Sequence, residues 1–208
     1  MPIVLQKYLN DTTEMAVWKI TESVEELRKL LWMFAHEEFK FESRNLHWLA
    51  SRVVLQELLK TESSQPLLLL KMPNGRPYIE GLDCRISLSH SGIYAAAIKS
   101  TTGSVGIDIE ETTERIKKIA RKFINDYEWQ YLEGENDLET MYLLWAGKEA
   151  IFKWYGDGGV DFKHHMKILL PLANGAHSVD AILSKNGEQK LTLHTTLMDD
   201  DYRLCWVF

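Results

Sequence analysis

Val105-Gly-Ile-Asp-Ile-Glu110 is the stretch on which the fold turns. Its β-branched residues and strict alternation predict a strand. Alternate side chains of a strand share a face, so Asp108 and Glu110 project to one side and Ile107 and Ile109 to the other, into a core. Two carboxylates at that spacing repel each other. A cation offsets the repulsion, and hard oxygen ligands suit Mg²⁺. The competing reading is a half-exposed strand with a solvated acidic face, and these six residues do not choose between the two.

Downstream, Trp145-Ala-Gly-Lys-Glu-Ala-Ile-Phe-Lys153 has helical spacing. Trp145, Glu149 and Lys153 fall at i, i+4 and i+8, one above another. Glu149 is a candidate third metal ligand, with Lys153 one turn on to hold an anion. An exposed Glu–Lys pair would be worth only about 0.2–0.5 kcal/mol. Met141, Leu144, Ile151, Phe152 and Trp154 leave little polar face for one. Upstream, Ser87-Leu-Ser-His-Ser-Gly92 ends one strand-like run and begins another. Ser89, His90 and Ser91 offer donors to a phosphate, and Gly92 allows close backbone approach. A structural turn histidine is the alternative. Ser/His/Asp hydrolysis is disfavoured, because no Gly-x-Ser-x-Gly elbow is present and adjacent Ser and His point apart on a strand.

Around these stretches the pattern is mixed. Runs at 2–8 and 14–20 read as strands about Asn10-Asp11. A helix opens at Thr21-Glu-Ser-Val-Glu-Glu, with Val24, Leu27, Leu30, Leu31 and Phe34 on one side, and a second spans about 43–60, with Leu46, Leu49, Val53 and Leu58 as its apolar stripe. Pro73-Asn-Gly-Arg-Pro77 marks a turn. Strands are expected at 84–89, 93–99 and 104–110, and helical segments at about 114–123, 127–133 and 138–155. The tail, 165–208, reads as strands joined at Asn174-Gly175, Asn186-Gly187 and Asp199-Asp-Asp201. Two α+β halves fit this order, divided as 1–103 and 104–208, the second carrying the acidic strand and the charged helix. Ile93-Tyr-Ala-Ala-Ala-Ile and Tyr202-Arg-Leu-Cys-Trp-Val form a short echo between them.

The chain has 208 residues, 45% apolar and 26% charged, enough to bury a core unaided. A net charge of −6 argues against indiscriminate nucleic-acid binding. No apolar run approaches the roughly 20 residues of a membrane helix, and the N-terminus lacks signal-peptide regions. Cys84 and Cys205 stand alone and read as buried thiols of a reducing compartment, so a cytoplasmic location is expected.

Taken together, Gly75-Arg76-Pro77, Ser89-His90-Ser91, Gly106-Ile107-Asp108-Ile109-Glu110 and Trp145-Ala146-Gly147-Lys148-Glu149-Ala150-Ile151-Phe152-Lys153 resemble, in this order, the motifs of the 4′-phosphopantetheinyl transferases, in their larger surfactin-synthetase-type branch. Ser43-Arg44 is similar to that family's entry to its second helix, and the step of 35 residues from Glu110 to Trp145 is also family-like. Ala146 departs from the pattern, standing where the family often has Ser, Thr or Cys. The resemblance implies an α+β fold of two similar α/β halves packed as a pseudo-dimer, acting as a monomer. It implies transfer of the phosphopantetheine of coenzyme A to a serine of an apo acyl or peptidyl carrier protein, releasing adenosine 3′,5′-bisphosphate. Mg²⁺ would be held by Asp108, Glu110 and Glu149. Glu149 is the candidate base, directly or through water. Lys153 and His90 would hold phosphate oxygens, Lys148 the phosphates or the pantetheine arm, and Arg44 and Arg76 the 3′-phosphate and adenine end. A silent coenzyme A-binding regulatory module and a metal-dependent pyrophosphate hydrolase are the alternatives.

Such carriers are typically acidic, and this chain is acidic too, so a local basic face is expected. In Thr113–Phe123, Ile116, Ile119, Ala120 and Phe123 can face inward while Arg115, Lys117, Lys118, Arg121 and Lys122 line the rest. An ordinary solvated helix is the plainer reading. His164, His165 and His177 show no ligand pattern.

Overall fold

A computed structural model describes residues 2–35, 37–134, 137–173 and 175–208. The fold is mixed α+β. Strands β1 (Ile3–Asn10), β2 (Thr13–Lys19), β5 (Arg85–Ser91) and β6 (Tyr94–Ser100) form a four-stranded antiparallel sheet in the order β1-β2-β6-β5. Strands β7 (Gly106–Glu111), β8 (Met166–Ile168), β9 (Ser178–Leu183), β10 (Gln189–Met198) and β11 (Tyr202–Val207) form a five-stranded sheet in the order β7-β11-β10-β9-β8. A small hairpin, β3 (Leu69–Lys71) and β4 (Pro77–Ile79), carries the Pro73–Pro77 turn.

Helices cover the outer faces. Helix α1 (Val24–Leu30) starts at a capping box: Ser23 Oγ accepts the Glu26 N–H and Glu26 Oε2 accepts the Ser23 N–H. Helix α2 (Glu42–Leu59) buries Leu49, Val53, Val54, Leu55 and Leu58 against Ala16, Trp18, Ala95 and Ala97 of the first sheet. Leu46 is only partly buried; Leu30, expected on the apolar stripe of α1, lies exposed, and the helix ends there, so Leu31 and Phe34 are buried from the segment that follows it. Helix α5 (Leu138–Tyr155) is capped by Asp137 and ends at Gly156, whose φ of 78° only glycine adopts freely. It packs on the second sheet. Between the sheets lies a third cluster: Met15, Val17, Tyr94 and Ile98 from one, Ile107, Ile109, Tyr202, Leu204 and Trp206 from the other. Burying each large apolar side chain contributes about 1.5–3 kcal/mol, so this cluster is a main adhesive between the two sheets. The echoed strands β6 and β11 are both internal, and Tyr94 and Tyr202 meet edge to face at 4.9 Å.

Several expectations need adjusting. The segment at 114–123 is a 3₁₀ turn, Glu114–Lys118, followed by the short helix α3 (Ala120–Phe123). The run at 127–133 shrinks to α4 (Asp126–Trp129). Ser89, His90 and Ser91 lie within β5 and not in a turn, which falls at Gly92. Cys205 is buried, but Cys84 is only half-buried; both are free thiols. The hairpins at Asn186-Gly187 and Asp199-Asp200 occur as read, with positive φ at all four residues, whereas Asn174-Gly175 includes a residue outside those described.

Gly106 shows how tightly α5 seats on β7. A Cβ there would collide with the carbonyl oxygen of Ala150 and approach Trp154 N to 2.7 Å. Gly106→Ala is expected to lower stability by roughly 1–3 kcal/mol, measured by urea denaturation. Wild-type stability would mean that α5 is not held this close.

Candidate functional site

The site forms where the two sheets meet edge to edge. The free edge of β7 presents backbone N–H groups at Ile107, Ile109 and Glu111, and no strand among the described residues pairs with them. Three serine hydroxyls of β5 accept them: Ser87 from Ile107 at 3.2 Å, Ser89 from Ile109 at 3.3 Å and Ser91 from Glu111 at 3.1 Å. Ser89 Oγ donates to Asp108 Oδ1 at 2.7 Å, and Ser91 Oγ donates to Glu110 Oε2 at 3.2 Å. From the helix, Trp145 Nε1 donates to Glu110 Oε1 at 2.9 Å. Lys153 Nζ donates to Asp108 Oδ1 at 2.7 Å and to the Ile107 carbonyl at 3.1 Å. Glu149 lies on the same face of α5, between these two residues.

Burial dominates the electrostatics. It pushes the Glu149 carboxyl up to about 7, helped by the charges of Asp108 and Glu110 and opposed by Lys153. Glu110 is raised for the same first reason, then by Asp108, while its bonds from Trp145 and Ser91 pull it back. Asp108 Oδ2 is buried without a hydrogen-bond partner among the described residues. The donor chemistry therefore suits a hard divalent cation: all oxygen, mutually repelling, with one carboxylate oxygen free. As the side chains stand, no three acidic, imidazole or thiol groups among the described residues are gathered into a ligand set. Glu110 accepts from Trp145 and Ser91, and Asp108 accepts from Ser89 and Lys153.

Lys153 also lines a cleft of about 940 Å³ that runs along β5 between α2 and the β3–β4 hairpin. Five cationic side chains line it, Arg44, Arg52, Lys71, Arg76 and Lys153, against one carboxylate, Glu37. In a chain of net charge −6 this concentration selects for an anion of several charges. Arg44 stacks over Phe39 at 4.2 Å and Arg52 over Trp48 at 4.3 Å, which pre-orders both guanidinium groups. Burial lowers Arg52 to about 10, and its Nε has no partner among the described residues. Arg76 donates to Ser104 Oγ at 3.2 Å. His90 stacks on His47 at 4.8 Å; desolvation, then the neighbouring His47, Lys153 and Arg52, push it down to about 4. It is a neutral imidazole at pH 7, able to donate one hydrogen bond.

The structure thus brings Arg44, Arg76, His90 and Lys153 together, and Asp108, Glu110 and Glu149 beside them. Arg52 and Lys71 were missed. Arg52 stands two helical turns from Arg44, a spacing that would have flagged it. Ser89 and Ser91 have partners that the sequence did not reveal: each gives its hydroxyl proton to a carboxylate, while Ser89 also lines the cleft. Lys148 is corrected. It is fully buried, and its ammonium donates to Glu128 Oε2 at 2.6 Å and to the carbonyls of Phe123 and Phe162 at 2.7 and 3.0 Å. All three protons are used, so it is a structural ion tying α5 to α4. In the basic segment, Ile116, Ala120 and Phe123 are buried, Ile119 partly so, and Arg115, Lys118, Arg121 and Lys122 are exposed.

A cationic cleft that shares Lys153 with a row of carboxylates is the site that this fold builds. The family model for the 4′-phosphopantetheinyl transferase superfamily matches residues 104–207, and the chain belongs to that superfamily. A 4′-phosphopantetheinyl transferase of Bacillus subtilis is 36% identical over 89 residues, 40% of this chain and 39% of its own length. The transferase gsp of Aneurinibacillus migulanus is 32% identical over 98 residues, 46% and 40% of the two chains. The transferase psf-1 of Bacillus pumilus is 27% identical over 166 residues, 76% of this chain and 65% of its own. The chain thus spans less than two thirds of the length of these curated relatives. Among the described residues no helix is long and apolar enough to cross a membrane.

Glu149 gives a test independent of any substrate. Its folded-state pKa lies above the usual 4.5, so its contribution to stability is present below pH 4.5 and is lost as pH rises toward 7. Above that, the buried charge costs on the order of 2–3 kcal/mol. Glu149→Gln should therefore raise stability at pH 8 without divalent ions, by about 1–3 kcal/mol, and leave it unchanged at pH 4. Equal stability of the two proteins at pH 8 would mean that the site does not strain Glu149.

Proposed function

We propose that the chain transfers the 4′-phosphopantetheine group of coenzyme A to a serine of an apo acyl or peptidyl carrier protein, releasing adenosine 3′,5′-bisphosphate. The observation that carries this reading is Lys153, which belongs to both the cationic cleft and the carboxylate row. A phosphorylated ligand lying in the cleft is led to the carboxylates by that one side chain. The 3′-phosphate and adenine end falls to Arg44, Arg76 and Arg52. The pyrophosphate falls to Lys153 and the His90 N–H, the lysine giving charge-assisted bonds. Asp108, Glu110 and Glu149 would hold Mg²⁺, which neutralises pyrophosphate charge when bound.

Phosphoryl transfer of this kind depends on position and charge neutralisation more than on covalent help. The carrier serine attacks the β-phosphorus. Glu149 takes its proton at a carboxylate oxygen, directly or through a water. Parts from both sheets, the residue 1–103 and 104–208 halves, come from one chain, so a cytoplasmic monomer suffices. The acidic carrier would dock on Arg115, Lys118, Arg121 and Lys122, which lie just past the carboxylate strand.

With coenzyme A, Mg²⁺ and an apo carrier, the carrier should gain the mass of one phosphopantetheine. Asp108→Ala and Glu149→Ala should each cut the rate by about 10²–10⁴-fold with the circular dichroism unchanged. No mass gain across a panel of carriers sinks the transfer reading, and free phosphopantetheine without an acceptor would indicate hydrolysis. Coenzyme A binding with no turnover would indicate a regulatory module. Charge reversal at Lys118, Arg121 and Lys122 should raise the carrier KM about tenfold at low salt, less at high salt, with the coenzyme A KM unchanged. An unchanged carrier KM moves the docking face elsewhere.

A further inference from the structure

Three serines of β5 meet three N–H groups of β7 at a constant sequence step, yet only two of those serines also touch a carboxylate. Ser89 accepts the N–H of Ile109 and donates to Asp108, the residue before it. Ser91 accepts the N–H of Glu111 and donates to Glu110, again the residue before it. Ser87 accepts the N–H of Ile107, but the residue before that is Gly106, which offers no side chain. A hydroxyl has one proton and two acceptor lone pairs. With a backbone N–H fixed on a lone pair, the proton of Ser89 or Ser91 has a defined direction, and the carboxylate is what lies along it.

We propose that Ser89 and Ser91 are positioning residues that set Asp108 and Glu110 for a divalent cation, while Ser87 serves the seam between the sheets and orients no carboxylate. The proposal rests on the metal reading above. Each carboxylate is held from two sides, Asp108 by Ser89 and Lys153, Glu110 by Ser91 and Trp145. Removing the serine donor frees one oxygen to turn and leaves a β7 N–H without its acceptor. Because β5 also lines the cleft, from Ile86 to His90 and so including Ser87 and Ser89, the strand that carries the ligand wall is the same strand that orients the carboxylates.

The three alanine variants separate a positioning role from a merely structural one. Mn²⁺ affinity is measured by titration with electron paramagnetic resonance of the free ion, and stability by thermal denaturation without metal. Ser91→Ala, at the half-exposed end of β5, should weaken Mn²⁺ binding about tenfold or more, and Ser89→Ala likewise. Ser91→Thr keeps the hydroxyl and should restore affinity to within about threefold of wild type. Ser87→Ala should lose stability comparable to Ser91→Ala and keep wild-type Mn²⁺ affinity. The proposal is overturned if Ser91→Ala binds Mn²⁺ like the wild type, if Ser91→Thr binds no better than Ser91→Ala, or if Ser87→Ala weakens binding equally. A wild-type protein that binds no Mn²⁺ overturns instead the metal reading beneath it.

Discussion

Hydrogen bonds from the unpaired N–H edge of β7 to three serine hydroxyls of β5 are the constraint on which the rest of the site depends. A strand edge with buried N–H groups must find acceptors, because each unmet group costs roughly 1–3 kcal/mol. A continuous sheet would meet them with a neighbouring strand. Here β5 lies alongside but supplies side chains in place of backbone, so the two sheets stay distinct and a gap remains between them. That gap gives the carboxylates of β7 room to face α5 and Lys153 room to reach the Ile107 carbonyl. The apolar cluster behind it, with Ile107 and Ile109 on one side and Met15 and Val17 on the other, keeps the two edges together.

The same close packing makes the site electrostatically costly. With no side chain at Gly106, α5 comes close enough for Glu149 to share its surroundings with Asp108 and Glu110. Burial then raises Glu149 and Glu110, and Lys153 offsets only part of the repulsion. Stability is sacrificed where charge is needed, as is usual for functional sites. The cleft repeats the pattern with the opposite sign. Arg52 is desolvated beside Trp48, with its Nη1 donating to Ser51 Oγ, so a guanidinium is held partly dehydrated on the cleft wall.

Much of this was legible in the sequence because periodicity carries it. Alternation in 105–110 gave the strand and its two faces, and the i, i+4, i+8 spacing of Trp145, Glu149 and Lys153 gave the helix face turned to it. What stayed hidden was which partner each polar group would find. Lys148 adjoins Glu149 in the chain, yet it points into the core, where Glu128 was too far away in sequence to be foreseen. Ser89 and Ser91 looked like free donors because β7 meets them only through the tertiary fold. Arg52 is legible only once Arg44 is placed in the cleft, because it stands two helical turns away on the same face of α2. Short helices at 114–129 broke up because packing around Ile116, Ala120 and Phe123 outweighed their propensity.

The cationic cleft and the carboxylate row are joined at Lys153, which belongs to both. The most direct test is a crystal structure of the chain with coenzyme A and Mn²⁺, using the anomalous signal of manganese to locate the ion. The predicted result is a single anomalous peak among Asp108, Glu110 and Glu149, with the pyrophosphate against Lys153 and the adenosine end against Arg44 and Arg76. A peak elsewhere, or coenzyme A bound with its pyrophosphate away from Lys153, would contradict it.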